Sequence, residues 1–175
     1  MGITFHPDGR IIHSSGVEIA SEKMVDHWRL SADVTPTVNT SYYVATNWER
    51  VDTDGGAGNY FGTGMTESSG EFTFPKTGIY HISITGVFYG AAHTGNSYIS
   101  TTTDGSSYSD AAVSLQRVSD NNTSSSASCE HIFDVTNTST HKVKYKVYVS
   151  GSSISVMGNS SRTESGITFT RLGGT

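Results

Sequence analysis

The sequence predicts an all-β chain folded as an antiparallel β-sandwich, and three observations carry that prediction. Apolar residues recur with a period of two. Tyr80, Ile82 and Ile84 alternate with His81, Ser83 and Thr85, and Val143, Tyr145, Val147 and Val149 alternate with Lys142, Lys144 and Lys146. This is the spacing of strands that bury one face. Turn residues punctuate these runs at short intervals, with no convincing helix between them, which is the signature of a sandwich. The composition agrees: 34% hydrophobic and 15% charged residues leave room for abundant serine, threonine and glycine. Such residues suit exposed sheet faces and tight turns.

At 175 residues a single main domain with its own core is expected. A net charge of −5 and 10% aromatic residues exclude a disordered chain. No Lys/Arg cluster could neutralise a run of phosphates, so nucleic acid is not expected as a partner. No apolar run approaches the roughly 20 residues of a membrane span. The N-terminus shows no basic segment followed by an apolar core, so no secretory leader is expected. His6 stands where a myristoylation motif wants Ser or Thr. Cys129 is the single cysteine and can form no internal disulfide. Five N-x-S/T sequons, at Asn39, Asn121, Asn122, Asn137 and Asn159, read as turn residues.

Taken in chain order, Ile3 to Phe5 and Ile11 to His13 flank Pro7, Asp8 and Gly9 as a small hairpin. Residues 17–27 are ambiguous, with one helical turn possible over 21–25. A hairpin and a connector are too small to fold alone. Residues 1–27 therefore read as an attachment arm, with Ile3, Phe5, Ile11 and Ile12 as its candidate docking residues. The sandwich follows over 28–175. Strands are expected at 28–32, 41–45, 47–51, 60–61, 72–74, 80–89, 97–103, 111–118, 128–135, 142–149, 153–157 and 167–172. The segments 52–59, 119–126 and 158–165 read as loops.

One local run is more specific. Phe72, Phe74, Pro75, Gly78 and Tyr80 spell F-x-F-P-x-x-G-x-Y, with proline at a strand end because it has no amide to donate. This pattern resembles the jelly roll shared by the globular head of the first complement component and tumour necrosis factor. The resemblance extends to Trp48 and Val51, the loop at 55–59, Tyr60, Gly70 and the closing strand from Ile167 to Leu172. It departs from the family in extra chain between Phe61 and Ser68, in the unpaired Cys129, and in Arg171. The resemblance implies a jelly-roll topology and a homotrimer that binds and assembles and does not catalyse. In that family, aromatics of the core motif and last strand face the threefold axis, which implies Tyr80, Tyr145, Tyr148 and Phe169 as interface candidates. The arm, the absence of a leader and the Ser/Thr-rich surface resemble a bacteriophage virion version of the fold. The expected role is a capsid decoration, cement or fibre-knob protein on the particle surface, docked through residues 1–27 to a major capsid or tail protein. A carbohydrate- or host-receptor-binding module is the alternative, with Tyr60, Tyr89 and Tyr98 as candidates to stack on a host surface glycan.

Motifs for chemistry are sparse. There is no G-x-S-x-G elbow. Cys129 and His131 lie two apart on one strand face, too local for a nucleophile and its base. The histidines form no ligand-spaced pair, although a threefold axis could gather copies of His81 or His131. Asp52 and Asp54, followed by Gly55, are the one calcium-like element. It lacks the later bidentate glutamate: Gly64 stands at the twelfth loop position and Glu67 lies beyond reach. No catalytic residue, metal or cofactor is expected.

Overall fold

A computed structural model describes residues 2–7, 11–15, 18–20, 23–51, 60–91, 93–151 and 154–175. Fifteen strands and no helix make up these residues. Three short strands, β1 (Ile3–Phe5), β2 (Ile11–His13) and β3 (Glu18–Ala20), form a small antiparallel sheet of their own at the N-terminus. Its registers place Ile3, Phe5 and Ile11 on one face and Ile12 on the other.

The remaining strands form two facing sheets of six strands each. The first runs in the order β12 (Thr123–Val135), β9 (Gly78–Gly90), β15 (Gly166–Gly173), β4 (Met24–Leu30) and β6 (Trp48–Arg50), with β14 (Ile154–Val156) also paired to β9. The second runs β11 (Ser109–Val118), β10 (His93–Thr102), β13 (Lys142–Ser150), β8 (Glu71–Thr73) and β7 (Thr66–Ser68), with β5 (Ser41–Tyr43) also paired to β13. All pairings are antiparallel, and the chain crosses repeatedly between the sheets, as a jelly roll requires.

Each long strand follows its sequence alternation. Along β9 the even positions from Gly78 to Gly90 are buried, and along β13 Val143, Tyr145, Val147 and Val149 are buried while the lysines stay at the surface. Between the sheets Phe72 meets Trp48 edge-on at 5.1 Å and Phe169 at 5.2 Å, and Phe74 lies 4.6 Å from Tyr80. These separations suit tilted and edge-to-face aromatic packing. The two buried phenols are satisfied: Tyr80 Oη donates to the Lys76 carbonyl at 2.9 Å, and Tyr145 Oη shares a 2.9 Å hydrogen bond with Ser97 Oγ.

This packing corrects three interface candidates. Tyr80, Tyr145 and Phe169 are completely buried inside one chain, so their rings cannot reach a partner. They sit on inward-facing strand faces, where core and interface aromatics share one sequence signature. Several elements also differ from the sequence reading. Within the ambiguous stretch at 17–27, the described residues 18–20 and 24–27 are strand, and β4 reaches back to Met24. The extra chain between Phe61 and Ser68 contains β7, which forms a hairpin with β8. Gly70 ends that turn at φ 79°, and an added Cβ would strike the Val44 carbonyl. Half of the polar segment 119–126 is strand, because β12 begins at Thr123. Asn39 and Asn122 do occupy left-handed turn positions, at φ 57° and 56°. Arg171, out of place in the family pattern, donates to the Thr77 carbonyl at 3.1 and 2.9 Å and ties the last strand to the turn before Gly78.

Candidate functional site

The outer face of the sheet β12-β9-β15-β4-β6 carries the arrangement with most to say about function. Its registers align Phe61, Val25, Thr170, His81 and Ile132 in a single row across neighbouring strands. Three members are large apolar residues left open to solvent: Phe61 is 64% exposed, Val25 40% and Ile132 54%. Leu172 is also exposed, two residues beyond Thr170 on β15. Strands stand about 4.8 Å apart, so the row is a belt spanning the sheet. His81 Nε2 lies 3.3 Å from Glu130 Oε2 within this zone. Lys23 Nζ, at the end of the arm, donates to the Leu172 carbonyl beside it.

Further along the same face the side chains become small and hydroxylated. A shallow cavity of about 250 Å³ opens there, lined by His27, Ser83, Thr85, Thr163, Glu164 and Thr168. Its floor is Gly166, where a Cβ would approach the Trp28 carbonyl oxygen to 2.6 Å and His27 Nε2 to 3.2 Å. The glycine thus keeps the space open. Burial lowers the pKa of His27, with Asp26 pulling it up and Arg29 pushing it further down, so the ring is neutral at pH 7. Glu164 Oε1 accepts from Arg162 Nε at 2.9 Å on the rim.

The opposite outer face is a ladder of tyrosines and lysines. Lys144 Nζ stands 4.3 Å from the Tyr108 ring centre, and Lys146 Nζ 4.3 Å from that of Tyr98. Glu71 accepts from Tyr108 Oη at 2.7 Å and from Lys142, and Lys146 Nζ reaches Asp110 Oδ2 at 2.5 Å. Burial works to raise the Glu71 pKa, but the hydrogen bonds from Lys142 and Tyr108 outweigh it and hold the carboxyl below its usual range. Tyr148, the fourth interface candidate, lies on this face with the lysines and not with the core motif.

The glycan-stacking candidates are scattered. Tyr60 has the Arg50 guanidinium 4.9 Å from its ring centre, Tyr89 lies at the far end of the first sheet's outer face, and Tyr98 lies under Lys146 on the second sheet. The structure does not bring the three together. Asp52 and Asp54 lie outside the described residues. The chain on either side of their segment is fixed by a buried carboxylate: Asp26 accepts from Arg50 Nε at 3.0 Å, from the Trp28 indole at 2.9 Å and from the Met65 amide at 2.6 Å. Among the described residues no three His, Cys, Asp or Glu side chains gather to hold a metal. Cys129 is buried, donates weakly to the Ser97 carbonyl at 3.6 Å, and has its pKa pushed up to about 11 by burial. The His131 ring lies tilted against Phe133 at 5.9 Å. In the arm, Ile3 and Phe5 are exposed while Ile11 and Ile12 are partly covered.

Val25, Phe61 and Leu172 escaped the sequence reading. Ile132 did leave a signal there: it falls between Glu130 and Asp134 on the polar side of its strand, where an apolar residue needs a reason.

No family model and no curated protein matches the chain. Solved structures do match its fold. Murine APRIL at pH 8.0 aligns over 86% of this chain and 100% of its own, with 14% identity and a TM-score of 0.61. The Eiger TNF from S. frugiperda aligns over 87% and 94%, with 11% identity and a TM-score of 0.63. The two-sheet strand order and these neighbours together define a tumour-necrosis-factor-like jelly-roll fold. At such identities the likeness concerns the fold alone.

Proposed function

We propose that the protein is a non-catalytic assembly module that forms a homotrimer through the apolar belt on the outer face of the β12-β9-β15-β4 sheet. The observation that carries this reading is the belt of Phe61, Val25 and Ile132. Large apolar side chains left exposed in register across a sheet mark a surface that is covered in use. Closed threefold symmetry covers such a belt on every copy and leaves the lysine–tyrosine face outward. The trimeric habit of the jelly-roll family that the sequence resembles points the same way.

The finer reading places the trimer on a bacteriophage particle, as a decoration, cement or fibre-knob protein whose arm docks onto a capsid or tail protein. Phe5 is 76% exposed and shares a face with Ile3 and Ile11 in a three-stranded sheet. So small a sheet gains stability by packing against something else. Three arms acting together multiply a weak single contact. Deleting residues 2–16 is expected to leave a folded trimer and abolish incorporation into particles; normal incorporation of the truncated chain would refute the docking role.

Ile132→Asp tests the trimer face. The side chain is exposed in the single chain, so the fold should survive, while a charge buried at a subunit contact is costly. Sedimentation velocity should then show the trimer giving way to a monomer with unchanged circular dichroism. A variant that sediments like the parent protein would place the contact elsewhere.

A further inference from the structure

The hydroxyl-lined cavity lies on the same β4-β15-β9 face as the belt, two residues further along each strand, and its chemistry is specific. Ser83, Thr163 and Thr168 offer hydroxyls, each both donor and acceptor, and His27 offers a neutral ring with one donor and one acceptor. None of these four side chains has a hydrogen-bond partner among the described residues, whereas Thr85 is already paired with Ser128 at 2.9 Å. The groups come from three adjacent strands and the loop before β15, so they converge on one volume.

Charge narrows the ligand further. No lysine or arginine lines the cavity; Arg162 on its rim is committed to Glu164, and the buried Arg29 behind it to Glu49. An anion would find no cation to meet it. A metal ion would find a single carboxylate and one imidazole, fewer ligands than a hard or borderline cation takes. A purely apolar ligand would leave the hydroxyls and the imidazole unpaired. What fits is a neutral molecule carrying several adjacent hydroxyls. The volume of about 250 Å³ is below the roughly 300–1,000 Å³ of drug-sized pockets and suits one ring.

We propose that this cavity binds a single neutral monosaccharide unit, with Ser83, Thr163, Thr168 and His27 hydrogen-bonding its ring hydroxyls over the floor provided by Gly166. The site is contained in one chain and does not depend on the trimer. Its ligand chemistry differs from stacking on Tyr60, Tyr89 or Tyr98, because recognition here is by hydrogen bonds. A single ring held by a few neutral hydrogen bonds binds at about millimolar strength.

The test is a titration of the isotopically labelled full chain with the methyl glycosides of glucose, galactose and mannose, followed by amide and imidazole NMR shifts. Inorganic phosphate and glycerol serve as comparison probes. Saturable shifts for at least one glycoside, centred on Ser83, Thr163, Thr168 and His27, are expected. The Ser83→Ala and Thr168→Val variants, both on an outward strand face, should each raise Kd about threefold to tenfold with unchanged thermal stability. Four results would overturn the proposal: no glycoside saturating, shifts centred on Tyr89 or Tyr98, unaltered Kd in both variants, or saturation by phosphate but not by the glycosides. Running the titration on Ile132→Asp separates this site from the assembly reading. Retained binding by a monomer supports a site held within one chain. Binding lost from a folded monomer would overturn that assignment.

Discussion

Asp26 has its side chain fully buried and gathers four donors: Nε and Nη2 of Arg50, the Trp28 indole and the Met65 amide. Breaking such a buried pair leaves the partner charge and a backbone amide unsatisfied. Asp26→Ala is therefore expected to cost about 3–5 kcal/mol, read as a lower urea midpoint with unchanged m-value. A loss below about 1 kcal/mol, no more than an exposed pair is worth, would contradict that role. The neighbouring His27 sets a pH dependence. Burial lowers its pKa below the ordinary 6.5, against Asp26 and with Arg29, while Glu164 shares its cavity. Below pH 6.5 the unfolded chain then binds more protons at this position than the folded chain, so this contribution to stability falls as pH drops. The loss stops growing once the pH is beneath the folded value. Melting temperatures measured from pH 8 to pH 5 should fall less steeply in His27→Gln than in the parent protein. Parallel curves would remove His27 from the account.

At the scale of elements, the strands that alternate cleanly were legible in the sequence. β9 and β13 announce themselves because every second residue is apolar and the intervening ones are polar or small. β7 was not legible: Thr66 to Ser68 has no apolar alternation, and its strand character comes from pairing with β8 across the turn at Ser69 and Gly70. The start of β12 was hidden for the same reason, since Thr123 to Ser126 are all hydroxyl residues placed in a strand by β9. The F-x-F-P-x-x-G-x-Y run reported its geometry well. Gly78 opens β9 at φ 145°, and an added Cβ would press on the Gly173 carbonyl and the Arg171 side chain. Gly78→Ala should thus cost about 1–3 kcal/mol through backbone strain alone, measured by chemical denaturation. An unchanged midpoint would show that the turn relaxes freely.

For the whole molecule, the sequence conveyed the jelly roll but not the surface it presents. Which aromatics face inward depends on how two sheets stack, and Tyr80, Tyr145 and Phe169 proved to be core. The belt of Phe61, Val25 and Ile132 joins residues from three distant parts of the chain, aligned only by strand register. No local pattern could have shown that row. The hydroxyl cavity is equally non-local, with residues from β4, β9, β15 and the preceding loop around Gly166.

Assembly through this face requires that the belt be covered in solution. The most direct measurement is the molar mass of the purified chain by light scattering coupled to gel filtration. A mass of three times 18.7 kDa, maintained on dilution, is the result expected. A mass of 18.7 kDa at every concentration would contradict the trimer and leave the exposed apolar row without a role in self-assembly.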